Sequence, residues 1–354
     1  MQVEKLQKAA KLLSTIINDA SPTVLYRSVE LSETSVRATS EYGNIEVFLE
    51  DTGPKEPFLF VGAAFCDVVN SLPKDAELTM SREGNQIAWK CGRAKGTWIS
   101  QPIKDSLPLI QHDSFPWTPS PELQKALDLG ASSCVAAAAA IGLYGVIAKV
   151  DGEILRFLSS SGGNFSMASI DKAGYPGGDF TLRPPTPKTL SSLLSAGENV
   201  TMDITAEGIF ILSDGFVAQL ALAAPLEGNL VKIAKRFNAK ACTVKIDPEG
   251  VKTFLIRARA LTEKSTEAKV ILKVEAGELL LEHRGIASSL EETFLAEGLD
   301  PSISFSSVAL PVGGFIQALG HADTVTLDYL PNNVLVLSGE NPDFVQIISS
   351  GFKK

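Results

Sequence analysis

Histidine is scarce in this chain: only His112, His283 and His321 occur in 354 residues, each in a different segment. With no HExxH, no EF-hand loop and no nucleophile elbow, the common metal-hydrolase and serine-hydrolase arrangements have no support. The three histidines are expected at the surface or half-buried. Cysteine is nearly as rare, and residues 66, 91, 134 and 242 form no CxxC pair and no metal-ligand spacing. All four are expected to be buried thiols in a reducing cytoplasm, which voids the glycosylation sequons at Asn164 and Asn199. Because no apolar run reaches about 18 residues, a soluble chain with no membrane partner is expected. Glu4, Lys5, Lys8 and Lys11 interrupt the one stretch, Met1 to Ile17, that could pass for a secretion signal, and an amphipathic helix fits it better. Gly162-Gly163 and Gly177-Gly178 lack the strand–glycine–helix context of a phosphate-cradling loop and read as turns. Asp203, Asp214 and Asp328 recur at related positions, which turn chemistry explains better than a metal site. No cofactor, metal ligand or catalytic residue emerges, and the chain reads as a non-enzyme.

Repetition is what the sequence does have. A stretch of about 45 residues, starting near Phe60, Leu182 and Val308, reads three times as helix, turn, strand, turn, strand, small-residue turn, strand. The helical cores are Asp67 to Leu72, Ser191 to Ala196 and Ile316 to His321. Thr79, Thr201 and Thr326 open a strand in each copy, and Ile87, Ile209 and Val334 sit in the next one. The turns at Cys91-Gly92, Ser213-Asp214 and Ser338-Gly339 keep the same offsets of 122 and 125 residues. Before each copy runs an amphipathic helix, Val3 to Ile17, Pro121 to about Ala140, and Glu249 to Thr262, followed by a strand pair. Gly152-Glu153 and Gly277-Glu278 mark two of the hairpin turns in those pairs.

Three similar domains follow: 1–115, 116–240 and 241–354, each about 118 residues and so near the commonest domain size. The proline-rich Gln111 to Pro121, with Trp117 among the prolines, reads as a stiff connection between the first two, and Pro225 to Lys245 as the second linker. A net charge of −9 argues against coating nucleic acid with the whole surface but leaves room for one basic face.

The segment from Phe60 to Ser100 resembles the first-domain helix and three strands of the bacterial- and phage-type DNA polymerase sliding clamp, the β subunit of polymerase III. Leu72-Pro73, the turn Lys74-Asp75 and the turn Cys91-Gly92-Arg93 stand where that family has a Leu-Pro helix end, an acidic turn and a Ser-Gly-Arg turn. What the resemblance implies is an α+β fold of three tandem clamp domains, each built from duplicated βαβββ-type half-units, with helices lining a pore and antiparallel sheets outside. It also implies a head-to-tail homodimeric ring around double-stranded DNA, tethering a DNA polymerase and served by a clamp loader, in a nucleoid-associated cytoplasmic setting. A non-ring repeat scaffold binding replication or repair proteins is the alternative.

Under this resemblance the DNA-facing residues are basic positions on the first helix of each domain: Lys5, Lys8 and Lys11, then Lys125, then Lys252, Arg257 and Arg259. Lys188 joins them from the second helix of the middle domain, with Arg27, and more weakly Arg37, at the pore rim. Any surface helix has a solvated polar face, and that explanation stays open; recurrence on the same helix in all three repeats favours the pore. The family's partner-peptide pocket, carried over by position, would use Leu143, Ile170, Lys172, Gly174, Tyr175, Val345 and Ile347. The middle segment Ile170-Asp171-Lys172-Ala173-Gly174-Tyr175 departs from the usual Thr-Asp-Gly-His-Arg-Leu, and the ending Gln346 to Gly351 departs from Met-Pro-Met-Arg-Leu, as suits a clamp with its own polymerase. On the same grounds the dimer would pair an edge at Cys91 to Trp98 with Glu267 to Val274 or Phe294 to Ser304, and Phe65, Leu72, Trp89 and Trp98 would be core or interface packing.

Overall fold

The computed structural model describes residues 1–50, 53–100, 107–131, 134, 145–161, 164–224, 242–262, 268–275, 277–285, 288–295, 305–306, 310–319, 325–330, 334–338 and 344–349. The fold is α+β, mostly antiparallel sheet with few helices, and its elements run through one order three times. The first pass is α1 (Val3–Leu13), β1 (Ser28–Leu31), β2 (Ser35–Ser40), β3 (Gly43–Phe48), β4 (Phe58–Val61), α2 (Gly62–Ser71), β5 (Leu78–Glu83), β6 (Gln86–Cys91) and β7 (Ala94–Ile99). The second is α3 (Glu122–Gly130), β8 (Val146–Asp151), β9 (Ile154–Ser161), β10 (Asn164–Asp171), β11 (Phe180–Leu182), α4 (Thr186–Ala196), β12 (Thr201–Thr205), β13 (Gly208–Ser213) and β14 (Phe216–Leu220). In the third, β15 (Cys242–Ile246) precedes α5 (Pro248–Ala260), β16 (Lys269–Glu275), β17 (Glu278–Arg284), β18 (Ser289–Leu295), β19 (Phe305–Ser306) and β20 (Leu310–Pro311). It closes with α6 (Val312–Leu319), β21 (Val325–Leu330), β22 (Val334–Ser338) and β23 (Phe344–Ser349).

Each early half therefore holds three strands, where the sequence reading gives two. The additional ones are β3, β10 and β18, of which the sequence marks Met167 to Ser169, within β10, as strand. Ile45 and Val47 are buried and alternate with Asn44, Glu46 and Phe48, a period-two pattern that a strand requires.

The chain forms two compact units: Met1–Gln124 with Ala173–Gly178 and Pro185–Ala223, and Lys125–Lys172 with Asp179–Pro184 and Ala224–Lys354. In the first unit a seven-stranded sheet runs β12-β13-β14-β3-β2-β1-β4, beside the three-stranded β5-β6-β7. The seam that joins strands of the second pass to those of the first is β3 with β14, antiparallel, with Val47 opposite Phe216 and Gly43 opposite Leu220. Gly43 holds φ +140, and a Cβ there would stand 2.0 Å from the Gln219 carbonyl oxygen, so only glycine lets the strands close. The second unit repeats the device: its eight-stranded sheet runs β11-β8-β9-β10-β23-β22-β21-β15, with β10 and β23 at the corresponding seam. A further sheet, β18-β17-β16-β19, has β20 pairing with β16 as well.

Helix α1 is held by its burial. Val3, Leu6, Ala9, Ala10 and Leu13 recur at helical spacing and are all buried, and full burial of a Leu side chain contributes about 2 kcal/mol. Gln7, on the same face, donates its side-chain amide to the carbonyls of Leu72 at 2.8 Å and Val69 at 3.1 Å. Those carbonyls lie at the end of α2, where Pro73 halts the helix; Val69 also accepts from the Leu72 amide at 3.2 Å, whereas Leu72 lies past the last helical residue. α5 starts differently: Pro248 opens the first turn and Asp247 accepts from the Glu249 and Gly250 amides at 3.1 and 3.2 Å. Around it lies the second unit's apolar core, with Val251, Phe254, Leu255, Val270, Leu272, Leu279, Leu281 and Phe315 fully enclosed.

Several sequence expectations change on this framework. His283 is buried, not surface, with Nδ1 facing the Lys269 carbonyl at 2.8 Å and Nε2 the Thr262 hydroxyl at 3.3 Å. His112 is half-buried as expected, stacked on Phe210 at 3.9 Å; His321 lies outside the described residues. Cys66 and Cys91 are buried, Cys134 is only half-buried, and the Cys242 side chain is not described. Burial pushes the Cys66 thiol up to about 12 and that of Cys134 to about 11. Asp203 stands within β12, not in a turn, paired with His112 at 2.8 Å, while Asp214 keeps its turn and accepts from the Asn199 amide at 2.7 Å. Trp117 does more than stiffen a linker: its backbone bridges Met202, and its ring is buried against Tyr175.

Candidate functional site

The candidate interface consists of cations on helix surfaces, and each is set by the apolar stripe on the opposite side. On α1, burial of Leu6, Leu12 and Leu13 turns Lys5, Lys8 and Lys11 outward. Lys5 pairs with Glu50 and Lys8 with Glu4 at 3.4 Å, while Lys11 has no ion pair among the described residues. The Lys5 ammonium holds the Glu50 carboxyl below the usual carboxylate range. On α5, Lys252 lies 3.7 Å from Glu249 and Arg257 3.2 Å from Glu292 of β18. Arg259 is exposed in the last turn with no ion pair among the described residues. Lys125 is exposed on α3 and Lys188 on α4, so each pass places at least one cation on an exposed helix surface. Arg27 ends a 3-10 turn, Val24–Arg27, and is half-buried.

Arg37 belongs elsewhere. It sits opposite Glu30 across β1 and β2, and the two form a buried ion pair in which the Glu30 side chain is 2% exposed. Glu30 also accepts from the Leu107 amide at 3.2 Å. An arginine so engaged organises the sheet and is not available to a phosphate. Sequence spacing could have revealed this, because a hairpin between residues 31 and 36 sets 30 across from 37.

The residues expected to form a peptide pocket are distributed as follows. Ile170 is buried on β10, and the Lys172 amide donates to the Glu153 carbonyl at 2.7 Å. Ala173 and Gly174 take positive φ values of 38° and 75°, making the tight turn that delivers Tyr175. Tyr175 is 2% exposed, with its ring edge-on to Trp117 and its hydroxyl donating to the Gly178 carbonyl at 2.7 Å. Leu143 lies outside the described residues; Val345 and Ile347 lie on β23 opposite Met167 and Phe165 of β10.

Of the expected dimer edges, Cys91 to Trp98 contains most of β7, which borders its sheet. Glu267 to Val274 does not qualify: β16 is paired on both sides, with β17 on one and β19 and β20 on the other. Among the described residues β18 pairs on one side only, with β17; it includes Phe294 and ends at Leu295, and residues 296–304 lie outside the described residues. Trp98 packs with Phe60 and Phe65 in the core, and Trp89 stacks on it at 5.4 Å.

No family model and no curated protein sequence matches the chain. Solved structures do. A Pseudomonas aeruginosa sliding clamp, DNA polymerase III subunit beta, bound to griselimycin superposes with a TM-score of 0.77 at 18% identity, covering 100% of this chain and 98% of that one. A putative polymerase III beta subunit from Eubacterium rectale gives 0.77 at 16% identity, over 99% and 97%. The Helicobacter pylori beta clamp bound to a DNA ligase peptide gives 0.74 at 14%, covering 99% of each chain. Over its whole length, this chain has the fold of the DNA polymerase III beta subunit sliding clamps.

Proposed function

We propose that this protein is a DNA sliding clamp: two copies close head to tail into a ring that encircles double-stranded DNA and tethers a polymerase without catalysing a reaction. The observation that carries the reading is the full-length likeness to sliding clamps, with neither chain leaving a domain unmatched. The thrice-repeated element order supports three tandem domains at 1–115, 116–240 and 241–354.

A clamp must hold a duplex while gripping no sequence. Enclosure supplies the hold, and weak phosphate contact through water and mobile side chains permits sliding. A chain of net charge −9 whose described α-helices carry eight basic and five acidic residues suits that requirement, since the acidic remainder repels DNA from other faces. Lys5, Lys8, Lys11, Lys125, Lys188, Lys252, Arg257 and Arg259 are the residues we assign to the pore, with Arg27 at its rim. The edges β7 and β18 are the strands we assign to the subunit contact, since each ends in a bare apolar side chain, Ile99 at 68% and Leu295 at 88% exposure. Peptide motifs of a polymerase and a clamp loader are assigned to Leu143, Ile170, Lys172, Gly174, Tyr175, Val345 and Ile347, by analogy with the H. pylori clamp that holds a ligase peptide.

Two measurements test this. Light scattering should give twice the chain mass of 37.7 kDa. Protein loaded on nicked circular DNA should stay bound in raised salt and be lost when the circle is linearised. A monomer with equal retention on circles and linear DNA would leave the non-ring scaffold as the better reading.

A further inference from the structure

A cavity of about 640 Å³ opens in the first unit where α1 runs past α4 and the β3–β14 seam. That volume lies within the range of about 300–1,000 Å³ that holds ligands in proteins. Its apolar part comes from Leu12 of α1, Phe48 at the end of β3 and Phe216 at the start of β14. Phe48 is the odd residue of its strand. Asn44 and Glu46 share its outward face, yet a phenyl ring follows them and stays 44% exposed. An aromatic ring left bare at a cavity mouth retains free energy that an apolar guest could release.

The opposite wall is charged and hydroxylic. Lys5, Lys8 and Lys11 line it from α1; Lys5 is paired with Glu50, the one carboxylate among the lining groups, and Lys8 with Glu4 beside it, which leaves Lys11 without an ion pair among the described residues. Ser195 of α4 is exposed at the rim and has no hydrogen-bond partner among the described residues. On a chain of net charge −9, this is a basic, apolar-floored recess. None of its residues is among those assigned above to a partner-peptide pocket, but Lys5, Lys8 and Lys11 are among those assigned to the pore, so a bound peptide and a threaded duplex compete for them.

We infer that the cavity beside α1 is a docking site for a short acidic peptide segment of a partner protein, one that inserts a bulky apolar side chain against Phe48 and Phe216. The Lys11 ammonium faces its carboxylates, and the Ser195 hydroxyl is positioned for a peptide amide or carbonyl. Charge complementarity selects an anionic guest, and the floor selects among anions. A DNA duplex presents phosphates and sugars with no apolar group long enough to displace water from Leu12 and Phe216, whereas a peptide carries both features on one strand. The inference needs only the first unit, so it stands or falls separately from ring closure.

The test uses the full-length protein and fluorescence anisotropy with short fluorescein-labelled peptides in three sets. The first set carries Leu or Phe between glutamates, the second replaces the glutamates with lysine, and the third replaces the apolar residues with serine. Saturable binding is expected for the first set alone. Ser195→Trp, at an exposed helix position, fills the mouth and should weaken binding by about tenfold or more. Phe48→Ser, also at an exposed position, should act the same way, while Lys11→Glu should weaken the acidic set and strengthen the lysine set. Lys74→Glu, at an exposed turn position away from the cavity, serves as the control and should leave peptide binding unchanged. The inference is overturned if no acidic peptide binds saturably, or if the serine set binds as well as the apolar set. It is equally overturned if Ser195→Trp and Phe48→Ser leave affinity unchanged, or if these variants reduce only the binding of a DNA duplex, which would make the face a nucleic-acid surface.

Discussion

Helices α1 and α5 begin corresponding passes of the chain and carry three basic residues each, yet they are held in place by different means. α1 has no side-chain cap at Gln2 and depends on contacts far along the chain: Gln7 to the end of α2, the Val3 amide to Ala76, and Lys5 to Glu50. α5 adds to its buried face of Val251, Phe254 and Leu255 a start set by its own sequence, through the Asp247 cap, the Pro248 start and the pair Glu249–Lys252. In both, two cations are paired with acids of the same chain and the last-turn cation, Lys11 or Arg259, is not, among the described residues. The lesson is that an exposed cationic pattern can be kept constant while the scaffold beneath it changes. Both helices are seated by a buried apolar face; one adds hydrogen bonds from distant stretches of chain, the other a cap at its own first turn.

The comparison breaks most visibly at Gln7. Replacing it with Leu removes the side-chain donor to the Leu72 carbonyl and one of two donors to that of Val69, and a loss of about 2 kcal/mol is expected in urea unfolding, because an unsatisfied buried group costs about 1–3 kcal/mol. Charge reversal comes next. Lys11→Glu and Arg259→Glu should each weaken duplex binding roughly three- to tenfold and lower the slope of log affinity against log salt by about 1 for each cation withdrawn from the phosphates. Equal effects would mean that both helices face the duplex alike; no effect at either would remove them from the pore. Asp247→Ala should cost about 1 kcal/mol of stability, in line with removal of an N-cap, with DNA affinity unchanged.

The smallest effect is expected at Glu282, whose carboxyl is held below its usual range by hydrogen bonds from Arg284 and Lys273. A carboxyl depressed in the folded state stabilises above its unfolded value and loses that contribution as pH falls, here below about pH 4. Glu282→Gln should therefore flatten the acid limb of the stability–pH profile, measured by urea unfolding at a series of pH values. An unchanged acid limb would show that the pair contributes nothing to folding.

The order of elements was legible in the sequence because hairpins and amphipathic helices declare themselves locally. Gly152 and Gly277 sit in the expected turns with φ of 64° and 87°, and α1, α4 and α5 overlap their expected spans. What the linear pattern could not supply is pairing between passes. Nothing near Gly43 announces that its partner is Leu220, and the cavity beside α1 gathers residues from five separate stretches for the same reason. Arg37 shows the converse limit: a basic residue in a strand reads as a surface cation until its opposite number, Glu30, is placed. The three serines of α4 at 191, 192 and 195 share a helix surface by spacing, the one hint of that wall available beforehand.

The seam between β3 and β14 has a consequence for biosynthesis. Asn44 and Gln219, hydrogen-bonded across it, are 175 positions apart. At ribosomal speeds of about 5–20 residues per second, β3 leaves the exit tunnel roughly 10–35 seconds before its mate is made. During that interval the growing polypeptide carries an open strand border with Ile45 and Val47 on its inner face, a template for wrong pairing with other nascent chains.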